Sequence, residues 1–154
     1  MMRQSDKLHI DNQLCFPLYA CAKEIVRQYR KPLEPLNLTY TQYIVMMVLW
    51  EHVSLAEWEL GQKVHLDSGT LAPLLKRLEN QGYISRTRMK DDERCLQISL
   101  TQRGRELKEK ALKVPDLMRG CIPLAPKELI QLKTLLDKAL RNWKKEKKND
   151  NKSS

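Results

Sequence analysis

Residues 66–104 constrain the fold of this chain more than any other segment. Asp67 is a residue type that accepts hydrogen bonds from the free N–H groups at the start of a helix. After it, leucines recur at spacings of three and four residues until Gly82, which is typical of an amphipathic helix that ends at a glycine. Residues 83–88 and 95–100 then have the composition of strands, and the polar residues 89–94 lie between them. The segment therefore predicts a helix over 68–81 followed by a two-stranded ribbon.

The residues before this segment predict three more helices. An apolar stripe indicates a first helix over about 8–30, in which Pro17 implies either a kink or a later start. Thr39, with Gln42 three residues later, forms a capping-box pattern for a buried second helix over 40–51. Ser54 is predicted to cap a short third helix through Lys63. This third helix, a turn at 64–66 and the helix at 68–81 would form a helix-turn-helix.

The C-terminal third of the chain predicts two further helices and a tail. Thr101 is expected to cap a long helix through about Met118, and a last helix is expected over about 127–145. Residues 144–154 carry five lysines and two acids, which favours a disordered end. We therefore divide the chain into an N-terminal helix (1–35), a winged helix-turn-helix (36–104), C-terminal helices (105–146) and a disordered tail (147–154).

The charge of the chain indicates a polyanionic partner. The net charge is +9, and residues 68–90 contain five basic residues and one acidic residue. In a helix-turn-helix the second helix enters the major groove of double-stranded DNA with its N-terminal residues on base edges, whereas basic residues further along contact phosphates. The predicted base-reading residues are Ser68, Gly69 and Thr70. The outward-facing residues that follow them are Pro73, Lys76 and Arg77.

The ribbon adds a second predicted contact with DNA. Its basic residues are Arg86, Arg88, Lys90 and Arg94. Arg94 at the tip is expected to enter the narrow minor groove, where the negative potential is strong. Asp92 would then orient the Arg94 guanidinium, although a solvated turn with a weak ion pair is the alternative.

Several classes of protein are disfavoured by the composition. No apolar run approaches the length of a membrane span, and the N-terminus lacks the apolar segment of a signal peptide. We therefore expect a cytoplasmic protein without a membrane partner, whose four cysteines are reduced thiols. None of them forms a Cys-x-x-Cys pair or has a histidine at metal-binding spacing. No metal and no cofactor are predicted.

Several motifs together resemble the MarR family of winged-helix regulators. An acid-x-Arg wing, Asp92-Glu93-Arg94, is followed by Leu100-Thr101-Gln102-Arg103-Gly104. The sequence Leu-Asp-Ser-Gly-Thr-Leu-Ala-Pro-Leu-Leu-Lys-Arg-Leu at 66–78, Asn-Gln-Leu-Cys-Phe at 12–16 and Leu-Thr-Tyr at 38–40 are similar to its organic-hydroperoxide-sensing, OhrR-like branch. The resemblance covers about residues 8–145. It implies a mainly α fold with a β-hairpin wing, a homodimer joined by the first and last helices, and a repressor released from its operator by an organic hydroperoxide.

The resemblance also implies a redox sensor. Cys15 matches the reactive cysteine of the branch, Tyr29 and Tyr40 match phenols that reach this thiol from the partner protomer, and Tyr19 matches a further nearby tyrosine. If Asp11 or Asn12 caps the first helix, its positive end would also favour a Cys15 thiolate. Oxidation would give a sulfenic acid. Cys121 is a possible resolving thiol, and capping of Cys15 by a small-molecule thiol is the alternative.

Two other functions remain open on the sequence. A MarR-type regulator released by a small phenolic or lipid-like ligand would leave Cys15 incidental. A thiol peroxidase would use Cys15 as its nucleophile, but the chain lacks a Thr-x-x-Cys motif and has no arginine close to Cys15 in sequence. We therefore predict a regulator and not an enzyme. The response of a Cys15→Ser variant to peroxide would discriminate the two kinds of regulator.

Overall fold

A computed structural model describes residues 7–92 and 94–150, without the side chains of 147–150. The described chain is mainly helical with a small antiparallel sheet. In chain order, the helices and strands are α1 (Cys15–Leu33), α2 (Tyr40–His52), β1 (Ser54–Ala56), α3 (Glu57–Val64), α4 (Ser68–Asn80), β2 (Ile84–Arg88), β3 (Leu96–Leu100), α5 (Gln102–Ala111), α6 (Val114–Leu117) and α7 (Pro126–Asp150). The chain divides into two compact units, one ending at Met118 and one beginning at Arg119. The predicted fold class is confirmed.

Pro17 predicted either a kink in the first helix or a start later than residue 8, and α1 does start later. A 3₁₀ turn over Ile10–Asn12 precedes it, and Leu14 occupies the N-cap position without a side-chain cap. The condition that Asp11 or Asn12 caps this helix is therefore not met. Pro17 lies in the first turn, where an N–H has no intrahelical acceptor, so the proline is accommodated there without loss of a helical hydrogen bond.

Helix α2 forms the centre of the first unit. The predicted capping box is present, because Thr39 Oγ1 accepts from the Gln42 N–H and Gln42 Oε1 accepts from the Thr39 N–H. Val45, Met46 and Leu49 are fully buried, as expected for a helix that is apolar on nearly every face.

Ser54 does not cap a third helix, in contrast to the prediction. It begins β1, which pairs antiparallel with β3, so the wing is a three-stranded sheet in the order β1-β3-β2. Helix α3 starts only at Glu57, with Leu60 fully buried and Trp58 57% exposed. A three-residue strand has no periodicity of its own, and its partner strand lies about forty residues later.

Helix α4 follows the prediction closely. Asp67 caps it, and Gly82 follows it with a φ of 77°, a left-handed conformation that favours glycine. The four leucines of its inner face are buried: Leu71, Leu74, Leu75 and Leu78. Strands β2 and β3 start one residue later than predicted.

The long helix predicted from Thr101 to Met118 is wrong. Thr101 does cap α5, but α5 ends at Ala111 and a short α6 follows. The reason is Pro115, in the first turn of α6, which cannot donate a hydrogen bond to the residue 111 carbonyl and would clash with it in a continuous helix.

The second unit consists of α7 and the segment before it. α7 extends to Asp150, so the part of the predicted disordered tail at 147–150 is helical, and 151–154 lie outside the described residues. Neither proline nor glycine follows Pro126 up to that point, so no backbone feature stops the helix. Five of its large apolar residues are exposed in the isolated chain: Ile130, Leu135, Leu136, Leu140 and Trp143. In the described part of the chain, no helix has the length and apolarity needed to cross a bilayer.

Candidate functional site

The outer face of α4 is polar and open. All six residues predicted to meet DNA along this helix are exposed, opposite the buried leucines: Ser68, Gly69, Thr70, Pro73, Lys76 and Arg77. The helix presents small residues at its start and two adjacent basic residues further along, which is the arrangement that major-groove reading requires.

The start of α4 is closed by a carboxylate. Asp67 Oδ1 accepts from the Thr70 N–H at 2.9 Å, and Asp67 Oδ2 accepts from the Thr70 hydroxyl at 3.0 Å. These hydrogen bonds from Thr70 lower the pKa of Asp67, so the cap stays ionised over a wide pH range. The Thr70 hydroxyl is thus engaged within the chain, and Ser68 and Gly69 stand beside a fixed negative group.

Arg86 holds the wing against α4. Its Nε donates to Glu79 Oε2 at 2.9 Å, its Nη2 lies 2.8 Å from the same oxygen, and its backbone N–H donates to Glu79 Oε1 at 3.0 Å. The hydrogen bond from Arg86 lowers the pKa of Glu79. The Arg86 guanidinium, predicted to touch DNA, is therefore already paired within the chain, whereas Arg88, Lys90 and Arg94 are exposed on the wing.

Asp92 shapes the backbone of the wing tip and does not orient a guanidinium. Its carboxylate accepts from the Arg94 N–H at 3.0 Å and from the Cys95 thiol at 3.5 Å. In the part of the chain that the structure describes, no ion pair joins Asp92 to the Arg94 side chain, so that element of the prediction is wrong. Burial, with Asp92 adding to it, raises the pKa of Cys95, which disfavours a reactive thiolate there.

Cys15 is the first residue of α1, and its thiol is exposed. The helix start offers it few backbone donors, because the Phe16 N–H is bonded to the Gln13 carbonyl at 3.3 Å and Pro17 has no N–H. Tyr19 lies four residues later, on the same face of the helix, and its exposed ring is 5.2 Å from Lys23 Nζ. Donors to a Cys15 thiolate must therefore come mainly from side chains.

Tyr29 and Tyr40 form one cluster. Their ring centroids are 4.6 Å apart, and the Tyr43 ring lies 5.8 Å from that of Tyr29. We call these three residues the tyrosine cluster. The sequence analysis did not assign Tyr43 to it, although its spacing of three residues from Tyr40 on a helix was a usable signal. Burial raises the pKa of Tyr43, with Tyr40 adding to the effect, so its phenol stays protonated.

The tyrosine cluster lies far from the thiol of its own chain. Tyr29 follows Cys15 by fourteen residues on the straight run of α1, which is about 21 Å along the helix axis. Contact between Cys15 and Tyr29 therefore requires two copies of the chain.

The other cysteines are free thiols. Cys21 is exposed on α1, whereas Cys121 is half-buried in the second unit before α7. Among the described residues, no cluster of histidine, cysteine and carboxylate side chains is arranged to hold a metal ion.

A cleft of about 1010 Å³ lies between the end of α1, the start of α2 and the end of α4. Its lining includes the basic residues Arg30, Lys31 and Arg77, one acidic residue, Glu34, and Tyr40 of the tyrosine cluster. The lining of the cleft thus combines one aromatic side chain with an excess of positive charge.

Known proteins resemble this chain over most of its length. Residues 27–111 match the family model of the transcriptional regulator SarA/Rot. The organic hydroperoxide resistance transcriptional regulator of Bacillus subtilis (strain 168) is 46% identical over 136 residues, which are 88% of this chain and 92% of that protein. The chain belongs to the MarR family of winged-helix transcriptional regulators. Within that family it falls in the OhrR-like branch.

Solved structures of the MarR family agree with this assignment. Reduced AbfR bound to DNA superposes with a TM-score of 0.77 at 32% identity, over 93% of this chain and 97% of the other. The disulfide-formed AbfR has a TM-score of 0.61 at 32% identity and covers 88% of this chain and 96% of the other. The fold of this chain is thus one that a relative uses on DNA.

Proposed function

We propose that this chain is a homodimeric repressor that releases operator DNA when an organic hydroperoxide oxidises Cys15. The observation that carries the proposal is the separation along α1 of the exposed Cys15 thiol from Tyr29, whose phenol ring pairs with that of Tyr40 at the start of α2. Two chains with antiparallel α1 helices would bring each thiol to the phenols of its partner. The name of the Bacillus subtilis relative supports an organic hydroperoxide as the inducer.

The first chemical step is the transfer of one oxygen atom. The Cys15 thiolate attacks the terminal oxygen of the hydroperoxide, the O–O bond breaks, and the alkoxide leaves as an alcohol after taking a proton. Cys15 becomes a sulfenic acid. The tyrosine phenols hydrogen-bond to the thiolate before the reaction and lose that geometry when oxygen is added. Tyr19, on the Cys15 face of α1, contributes to the same surroundings.

A second thiol then completes the switch. The thiol of Cys121 attacks the Cys15 sulfenic acid of the partner chain, which forms a disulfide and releases water. The disulfide-formed state of AbfR, a relative with 32% identity, supports this step. Without such a partner, a small-molecule thiol would cap Cys15 in the same reaction.

The dimer would use apolar surface that a single chain leaves open. Leu14, Phe16 and Val26 on α1 are exposed in the isolated chain, as are the apolar residues of α7. Burial of such surface is the main driving force for association. A two-fold axis would place two copies of α4 about 34 Å apart, one turn of DNA.

The DNA contacts divide between base reading and backbone binding. Ser68, Gly69 and Thr70 face base edges, Pro73 lies beside them, and Lys76 and Arg77 bind phosphates. On the wing, Arg88, Lys90 and Arg94 approach the backbone and the minor groove. Arg86 and Asp92 position the wing instead of touching DNA, because both are engaged within the chain.

The proposal is tested by operator binding of the wild type, Cys15→Ser and Cys121→Ser, each with and without cumene hydroperoxide. We expect the wild type to lose operator affinity and Cys15→Ser to keep it. Cys121→Ser is expected to form the sulfenic acid, seen by mass spectrometry, without an intersubunit disulfide on a non-reducing gel. Release of Cys15→Ser by the peroxide would contradict the sensor role of this thiol.

A second function is favoured by the basic cleft. A regulator released by a small phenolic or lipid-like acid would bind it between Tyr40, Arg30 and Arg77. In that case an aromatic acid would weaken operator binding of Cys15→Ser, and Arg30→Ala would suppress the effect.

A further inference from the structure

The corner between α1 and α2 is fastened to the end of α4. Gln81, which follows α4, donates from Nε2 to the Asn37 carbonyl at 2.7 Å. Two residues later, the buried Tyr83 hydroxyl donates to the Leu36 carbonyl at 3.2 Å. Asn37 has a φ of 53°, so the corner turns sharply at the residue that Gln81 holds. Two hydrogen bonds thus join segments that lie more than forty residues apart in the chain.

Gln42 extends this connection into α2. Apart from the tyrosine hydroxyls, it is the one buried polar side chain among the described core residues, at 5% exposure. Its Oε1 accepts from the Thr39 N–H at 2.8 Å, and its Nε2 lies 3.5 Å from Gln81 Oε1, at the long limit of a hydrogen bond. A buried amide costs stability unless it is bonded, and Gln42 meets this need with one hydrogen bond to the capping box and one to Gln81. We call Gln42, Gln81 and the Asn37 carbonyl the amide clasp.

The clasp begins beside the tyrosine cluster. Tyr40 is the first residue of α2 and lies between Thr39 and Gln42, the two members of the capping box. Its ring is in contact distance of Tyr29. Because the first turn of α2 is fixed by both capping hydrogen bonds, a displacement of Tyr40 displaces Gln42 with it.

The clasp ends on the DNA-binding surface. Gln81 is the C-cap residue of α4, and its N–H bonds to the Arg77 carbonyl. Two residues earlier, Glu79 binds Arg86 of β2 through two side-chain contacts and one backbone contact. A displacement of Gln81 therefore moves α4 and the wing together.

We propose that the amide clasp transmits the position of the tyrosine cluster to α4, and that Gln81 is a positioning residue of the switch. The inference rests on the proposed function, since the tyrosine cluster is taken to be where Cys15 chemistry is felt. It concerns a different set of residues, which contact neither the thiol nor DNA in the proposal above.

A double-mutant cycle tests the clasp without peroxide. Operator affinity is measured for Tyr40→Ala, Gln81→Met and the double variant, with Asn80→Leu as the matched control for an exposed amide one residue away. Residues that act through one network are non-additive, whereas independent sites add. We expect the Tyr40→Ala effect to shrink about threefold or more in the Gln81→Met background, and to stay unchanged with Asn80→Leu. Additivity of Tyr40→Ala and Gln81→Met would overturn the proposal.

Further measurements separate coupling from damage to the fold. If Gln81 has only a structural role, Gln81→Met lowers Tm and operator affinity by the same amounts in the wild-type and Tyr40→Ala backgrounds. Gln81→Ala repeats the cycle should Gln81→Met fold poorly, and additivity there would count equally against the clasp.

The two proposals fail differently. If wild type is not released by cumene hydroperoxide, the proposed function fails while the cycle still reports on the clasp. If the wild type is released, we expect Gln81→Met to reduce the ratio of oxidised to reduced Kd about fivefold or more, with Cys15 oxidised at the same rate. An unchanged ratio would contradict the clasp and leave the sensor intact.

Discussion

Replacement of Gly104 by alanine is the severest single change that the structure predicts. Its added Cβ would overlap the Tyr83 carbonyl oxygen and lie 3.0 Å from the Tyr83 carbonyl carbon and 3.2 Å from Leu100 Cδ2. Two of these three neighbours are backbone atoms. The Tyr83 carbonyl accepts from the Thr101 N–H at 3.1 Å, and the Tyr83 N–H donates to the Leu78 carbonyl at 3.1 Å. The alanine therefore has to move α5 away from the wing instead of displacing a flexible side chain.

The cost is that of overpacking a rigid site. Overpacking typically costs about 1–3 kcal/mol, and a backbone obstacle puts this case at the upper end or beyond. The movement also strains the hydrogen bond of 2.9 Å from Trp50 Nε1 to the Gly104 carbonyl. At about 3 kcal/mol, a domain of this size is expected to lose roughly 10 °C in Tm.

Thermal unfolding followed by circular dichroism measures the effect, and the fluorescence of Trp50, with Trp58 and Trp143 replaced by phenylalanine in both proteins, reports whether α2 and α5 separate. Gly69→Ala is the matched control, since its Cβ would meet only Asp67 Oδ1, at 3.1 Å, on an exposed side chain. Its Tm is expected to change by a few degrees at most. A Gly104→Ala protein that melts within about 2 °C of wild type would refute the reasoning.

Three further predictions follow from the DNA-binding surface. Glu79→Gln should lower Tm slightly, because its partly exposed ion pair with Arg86 is worth at most about 1 kcal/mol. The folded state depresses the pKa of Glu79. The difference in stability from wild type is therefore present above the unfolded-state pKa and disappears as pH falls through the folded-state pKa. Asp92→Ala should lower the pKa of Cys95 and speed its alkylation by iodoacetamide near pH 8, and an unchanged rate would contradict the contact. Lys76→Ala should reduce the slope of log affinity against log salt by about one if Lys76 binds a phosphate, whereas Lys63→Ala on α3 serves as a control for charge alone.

The winged helix was predictable because its signals are local. Asp67, the leucine spacing and Gly82 fix the bounds of α4 within a few consecutive residues, and Thr39 with Gln42 does the same for the start of α2. At each helix end the hydrogen-bonding partners lie within one helical turn of each other, so the residue types alone predict where the helix begins or ends.

The misplaced elements depend on contacts that are distant in sequence or on a residue given too little weight. β1 is a strand only because Leu55 pairs with Ile98, and this pairing moves the start of α3 to Glu57. The break after α5 follows from Pro115, which periodicity alone does not register. Asp92 was assigned to the side chain of Arg94, although a short acid at a turn satisfies neighbouring backbone N–H groups more readily.

The candidate thiol site was predicted in its members but not in its surroundings. Cys15, Tyr29 and Tyr40 came from motif resemblance, whereas the contact of the Tyr29 ring with the rings of Tyr40 and Tyr43 required coordinates. Pro17 lies in the first turn of α1 and has no N–H to offer the nearby thiol.

The length of α1 has a consequence for the dose response of the proposed sensor. One chain carries Cys15 at the start of α1 and, about 21 Å further along the same helix, Tyr29, which pairs with Tyr40 of α2. Each complete site, a Cys15 thiol with its phenols, is then formed by two chains. Dilution below the dimer dissociation constant separates the two chains and therefore removes the site. The peroxide concentration that releases the operator then depends on the concentration of the protein as well as on the oxidant, so a change in the expression level of the protein would change that threshold.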